Sequence, residues 1–138
     1  MRESKFRFRN PVLESMEFIV NEDFNEEQYE GIRISGKTQI AKIRGKNEAG
    51  VKFHLKIGEN HSTAPFSFDI IMKAEFQWED SMEQEMVDRL LKSNAPSLLL
   101  SYIRPIVANV TGNSEYPAFH IPYMNMSENE ADFEEVDE

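Results

Sequence analysis

The chain contains no cysteine. Disulfide scaffolds, thiolate zinc sites and cysteine nucleophiles are therefore excluded. Apolar runs such as Leu98-Leu99-Leu100 stop at three residues, far short of the roughly 20 that cross a bilayer as a helix. The opening segment, Met1-Arg-Glu-Ser-Lys-Phe-Arg-Phe-Arg9, has no apolar stretch of the kind a secretory signal carries. A soluble, cytoplasmic protein is expected. Positive charge is scarce, with 15 Lys and Arg against 25 Asp and Glu and a net charge of −10. That argues against nucleic acid as the main partner, because phosphate binders concentrate Lys and Arg. Catalytic signatures are missing too: no G-x-S-x-G, P-loop, G-x-G-x-x-G or H-E-x-x-H occurs. The three histidines, His54, His61 and His120, lack metal-ligand spacing and are expected to be solvated or locally bonded imidazoles. The expectation is a protein that is not an enzyme and holds no metal or cofactor.

What is present suits one ordinary domain: 138 residues, 40% of them hydrophobic. The acidity is unevenly placed. Seven of the last twelve residues, Ser127 to Glu138, are Asp or Glu, and without them 18 acidic residues face 15 basic ones. The body thus carries about −3, and residues 127–138 are expected to form a disordered acidic tail behind a single domain over 1–126. A second reading makes the tail a tethered ligand whose Phe133 and Val136 visit an apolar groove on the same molecule.

The first half reads as strands. Over Phe66 to Trp78, every second residue is apolar (Phe66, Phe68, Ile70, Met72, Ala74, Phe76, Trp78), the period of a strand with one buried face. Val51, Phe53, Leu55 and Ile57 repeat the pattern. Between Tyr29 and Arg44 the apolar parity changes near Gly36, which suggests a bulge. Phe6 and Phe8, then Met16 and Phe18, mark strand pieces separated by Asn10-Pro11. The short connections at Gly45–Gly50 and Gly58–Pro65 favour an antiparallel meander. After Trp78 the period becomes helical. Ser81-Met-Glu-Gln84 has the form of a capping box, Asn94 can end the first helix, and Pro96 suits the start of a second. Leu98, Leu99, Tyr102, Ile103, Ile106, Val107 and Val110 then form an apolar stripe wider than one sheet can cover, so a second subunit is expected on it. Pro105 inside this helix should free the carbonyl of Ser101. Strands first and helices second make the class α+β.

Two segments carry a resemblance. Leu90-Leu-Lys-Ser-Asn-Ala-Pro-Ser-Leu-Leu-Leu-Ser-Tyr-Ile-Arg-Pro-Ile-Val-Ala-Asn-Val-Thr-Gly112, followed by Tyr116-Pro-Ala-Phe-His-Ile-Pro-Tyr-Met-Asn-Met126, resembles the SecB family of protein-export chaperones. The matching features are the Ala95-Pro96 helix start, Leu98, Tyr102, Arg104 and Val107, then Pro117, Pro122 and Asn125. Phe66 to Trp78 is similar to the family's fourth strand, with an acid at Asp69. Among SecB-like chains it most resembles the small ones of Gram-positive bacteria. The family's C-terminal amphipathic helix has no counterpart here, since the acidic segment begins where it would start.

The resemblance implies a SecB-like α+β fold, with a four-stranded antiparallel meander and a long helix packed on one face. It implies a homotetramer, built as a dimer of dimers, that binds unfolded or partner polypeptides without ATP. Phe119, Ile121, Tyr123, Met124 and Met126 would then line a client groove, since flexible and flat apolar groups adapt to many sequences. Asp69 would dock a partner on the sheet. Leu98, Leu99, Tyr102, Ile103, Ile106 and Val110 would form the oligomer interface. The alternative is an oligomeric interaction or adaptor protein that keeps the fold without holding clients, its 116–126 loop packed on its own sheet. Neither reading involves nucleic acid or a membrane span.

Overall fold

A computed structural model describes residues 1–60 and 62–138; His61 lies outside the described residues. The alternation between Phe66 and Trp78 becomes strand β4 (Phe66–Trp78), whose seven alternate apolar residues are buried while those between them are partly or fully exposed. Strand β3 (Glu48–Ile57) adds Ala49, Val51, Phe53, Leu55 and Ile57 to the same layer. Strand β2 (Ile34–Ile43) contributes Thr38 and Ile40.

Strand β1 (Phe6–Val20) is one continuous element of 15 residues rather than separate pieces around Asn10-Pro11. The interruption is absorbed within the strand. Its register on β4 shifts between Arg9 and Val12 and again between Leu13 and Ser15. Asn10 takes a left-handed φ of 54°, which its short amide side chain tolerates, and donates to Glu75 Oε2 at 3.2 Å.

The strand order is β1-β4-β3-β2-β5. This corrects the expected four-stranded antiparallel meander in two ways. First, β1 pairs with β4 rather than with β2, because residues 21–33 form a long connection with one 3-10 turn at Glu26–Gln28. Second, a fifth strand, β5 (Glu130–Val136), runs parallel to β2, which makes the sheet mixed. It comes from the stretch expected as a disordered tail. Its composition hides it, since Glu and Asp are poor strand formers. The backbone groups of the β2 edge and nearby Lys and Arg side chains supply what local sequence does not.

The expected bulge at Gly36 is absent. The β2–β3 register runs unbroken from Ile34↔Ile57 to Lys42↔Ala49. The glycine answers a packing demand instead: a Cβ here would stand 2.6 Å from Cζ of the buried Phe53 ring.

The helical half is one rod in three parts: α1 (Gln84–Arg89), a π turn (Leu90–Asn94) and α2 (Ala95–Gly112). Asn94 does not end a helix; it keeps right-handed helical angles. The break expected before Pro96 becomes a wider turn, closed by the Ala95 N–H on the Leu90 carbonyl. A proline can neither donate to the carbonyl four residues back nor sit close to it, and the π turn relieves both demands. The capping box is not formed either. Glu83 precedes the helix without a side-chain cap bond, while the Ser81 hydroxyl lies within 3.4 Å of Lys5 Nζ.

Val87, Leu91, Ala95, Leu99, Ile103, Val107 and Thr111 recur every four residues and are wholly buried against the sheet. A strict four-residue spacing outruns the 3.6-residue turn, and the π turn slows that drift between Val87 and Ala95. Each fully buried Val, Leu or Ile here stabilises by about 1.5–3 kcal/mol. Pro105 and Ser101 lie together on the exposed side of α2, where water can reach the freed carbonyl.

Candidate functional site

Helix α2 ends at Gly112, and the chain returns along the sheet through an irregular segment, residues 113–129, before entering β5. Two polar side chains of the helix fix its path. The buried Thr111 hydroxyl donates to the Val107 carbonyl at 2.7 Å and accepts the Phe119 N–H at 2.7 Å. Arg104 reaches the next turn of the segment, donating through Nη1 to the Ile121 carbonyl and through Nη2 to the Pro122 carbonyl at 3.0 Å. A guanidinium suits this task because its planar fork can serve two carbonyls at once.

Held this way, the segment's apolar side chains divide. Ile121 is buried, only 3% exposed, within the main core. Phe119, Met124 and Met126 are half-buried against that core, and the Phe119 ring meets Phe66 edge-on at 5.6 Å. Nearby, the Tyr116 ring meets Phe24 edge-on and Phe66 at a tilt. Burial, with lesser contributions from Glu115 and Glu26, pushes its hydroxyl pKa up. Tyr123 is the exception: it is 94% exposed, although the two carbonyls before it are clamped. The five residues expected to line a client groove thus become one core anchor, three half-buried groups and one projecting aromatic.

The stripe expected at an oligomer interface divides as well. Leu99 and Ile103 face the sheet and are fully buried within the single chain, so they are core rather than surface. Leu98, Tyr102, Ile106 and Val110 remain partly accessible on the adjoining side of α2. There the Phe8 ring of β1 meets Tyr102 edge-on at 6.2 Å. Phe8, Leu13 and Met16 share the helix-facing side of β1 yet stay between 37% and 42% exposed, since α2 lies over β3 and β4. The sequence hid this surface, because the register shifts at Asn10-Pro11 and Glu14 disrupt the alternation that would have marked it.

The opposite sheet face is largely polar and cross-linked, with Val12 and Ile19 exposed among its charges. Glu14 accepts from Lys52 and Lys73, with Nζ–Oε1 separations of 3.0 and 3.3 Å; the two hydrogen bonds hold its carboxyl below the usual range. Arg9 pairs with Glu75 at 2.7 Å. Asp69 lies 2.5 Å from His54 Nε2 and borders a cleft with Glu17, Glu22, Asp23 and Glu59, where Lys56 is the one cation among the described residues. Among the described residues, no three His, Asp or Glu side chains converge as a metal site, and no helix is long and apolar enough to cross a membrane.

A mixed sheet backed along one face by a single broken helix is a recognisable α+β arrangement, and two comparisons place it. Its fold is SecB-like. The chain is 35% identical over 49 residues, 36% of its length, to the protein-export protein SecB of Anaplasma phagocytophilum, and the match spans 31% of that protein. Its fold is similar to that of the Mycobacterium tuberculosis Rv1957 SecB-like chaperone, solved with a ChAD peptide from the Rv1956 HigA1 antitoxin. The TM-score is 0.61 and the identity 19%, over 87% of this chain and 91% of that one. A protein of unknown function from Streptococcus agalactiae is similar at a TM-score of 0.50 and 14% identity, covering 86% and 97% of the two chains. No family model matches the chain.

Proposed function

We propose that this protein binds unfolded or partner polypeptides without ATP, in the manner of a SecB-like chaperone. The observation that carries the reading is Tyr123. An aromatic side chain that is 94% exposed and presented on a backbone clamped by Arg104 serves a contact rather than the core. Phe119, Met124 and Met126 flank it as partly accessible apolar groups, and Ile121 anchors the segment from within the core. The fold of a neighbour solved with a bound peptide supports the same class of partner.

The working form is a homo-oligomer, a tetramer built as a dimer of dimers. Leu98, Tyr102, Ile106 and Val110, extended across β1 by Phe8, Leu13 and Met16, provide the apolar surface on which a second copy sits. Asp69, with the carboxylates beside it, is suited to dock a basic partner on the opposite face.

The burial of Ile121 and the packing of Phe119 on Phe66 favour a second reading: an adaptor that keeps the fold while its loop fills its own groove. Suppression of aggregation separates the two. A chemically denatured model protein is diluted into buffer with and without the native chain, in the absence of nucleotide. A chaperone lowers light scattering in proportion to its concentration; an adaptor leaves it unchanged.

A further inference from the structure

Strand β5 is attached to the sheet differently from every other strand. It pairs in parallel with β2 from Lys37↔Glu130 to Ile43↔Val136, the geometry that is slightly weaker per residue. None of its residues is buried. Its one large apolar side chain, Phe133, lies beside Ile40 and is still 43% exposed.

What holds β5 is backbone pairing and charge, with a small apolar contribution from the half-buried Ala131 and Val136 and, just before the strand, the Asn129 amide donating to the Thr38 hydroxyl. Lys37 meets Asp132 at 3.8 Å, Arg44 meets Glu135 at 3.5 Å and Asp137 at 2.8 Å, and Lys46 pairs with Glu138. Each of these side chains is at least 43% exposed, so each pair contributes little. The β2 edge thus offers a row of backbone donors and acceptors flanked by cations, and the segment lying on it is extended and acidic. Without β5, that edge would be a ready template for another chain.

We propose that the β2 edge is a strand-docking site for an extended acidic polypeptide segment, and that β5 fills it as a built-in competitor. An incoming segment adds as a parallel strand. Its carboxylates meet Lys37, Arg44 and Lys46, and an apolar residue takes the place of Phe133 over Ile40. Main-chain bonds supply affinity and side chains select the partner, as in other strand-addition complexes. A tethered strand acts at an effective concentration of about millimolar, so the native chain admits only a competitor that is tight or abundant. This site is separate from the loop around Tyr123 and does not depend on its role.

The test uses the full chain and a fluorescein-labelled peptide of residues 127–138. Substituting Asp132→Lys and Glu135→Lys weakens β5 in place while leaving the β2 edge intact. Anisotropy should show the variant binding the peptide at least ten-fold more tightly than the parent, and binding a scrambled peptide of equal composition at least ten-fold more weakly than the native-order one. Equal affinity of variant and parent, or of the two peptides, overturns the proposal. Hydrogen exchange on the unsubstituted chain gives a second reading. Millimolar unlabelled peptide should speed exchange of the β5 amides and leave the β2 amides protected, whereas unaltered β5 exchange overturns the proposal. So does β2 protection that falls on dilution, since a second copy would then be supplying the strand. The peptide is not an unfolded client, so failure here and failure of client holding are read separately.

Discussion

The ring of Phe8 on β1 meets the ring of Tyr102 on α2 edge-on at 6.2 Å, and both residues are about two-fifths exposed. Their contact joins two half-covered apolar surfaces that belong to different layers of the fold. A second copy is the simplest cover for both. The native chain should therefore sediment at a multiple of its 16.1 kDa mass, and Tyr102→Glu with Ile106→Glu should shift it toward a single chain while circular dichroism stays the same. A native mass of one chain at micromolar concentration contradicts this.

Gly36 makes room for a buried ring. Adding a methyl group through Gly36→Ala forces the Phe53 ring, 1% exposed, out of its place. Overpacking of this kind costs about 1–3 kcal/mol. Denaturant unfolding should show the midpoint falling with an unchanged m-value; an equal or higher midpoint would mean that the ring moves freely.

The carboxyl of Glu14 is held below its usual pKa, first by hydrogen bonds from Lys52 and Lys73. A carboxylate depressed in the folded state adds stability that is present above its unfolded pKa and lost as pH falls through its folded value. The stability difference between the parent and Glu14→Gln should accordingly be constant near neutral pH and vanish in acid, below the ordinary carboxylate range. Melting both proteins across pH 2–7 checks the sign, and a difference that grows in acid would contradict the assignment.

Arg104→Ala removes the clamp on the Ile121 and Pro122 carbonyls. Hydrogen bonds from a charged donor contribute about 1.5–3 kcal/mol, less where water can replace the donor. The expected result is a loss of about 1–3 kcal/mol, with faster amide exchange over residues 119–126 and unchanged exchange in β3 and β4. Uniformly faster exchange would assign Arg104 to the core rather than to the loop.

The strands β3 and β4 were legible because one face is buried along their whole length, so burial writes a two-residue period into the sequence. The helix was legible for the same reason. Much of what escaped depends on partners far away in the chain. Glu130–Val136 looks disordered until the cations and open edge of β2 stand beside it. Gly36 looks like a bulge until Phe53 lies over it. Asn94-Ala-Pro96 looks like a stop because a π turn has no local signature of its own. In the candidate site, composition identified the apolar residues of the 116–126 segment. It could not assign Ile121 to the core and Tyr123 to the solvent, since that division depends on where Arg104 and Thr111 hold the backbone.

The central claim is that the loop presents Tyr123 to a polypeptide partner. The most direct test is the affinity of the native protein for a labelled, permanently unfolded polypeptide, compared with that of Tyr123→Ser. At 94% exposure the substitution leaves the core untouched, so the melting temperature should not move. An exposed aromatic that becomes buried on binding is worth about 1.5–3 kcal/mol, which predicts an affinity loss of roughly ten-fold or more. Equal affinities of parent and variant, or no binding by the parent protein, would contradict the account.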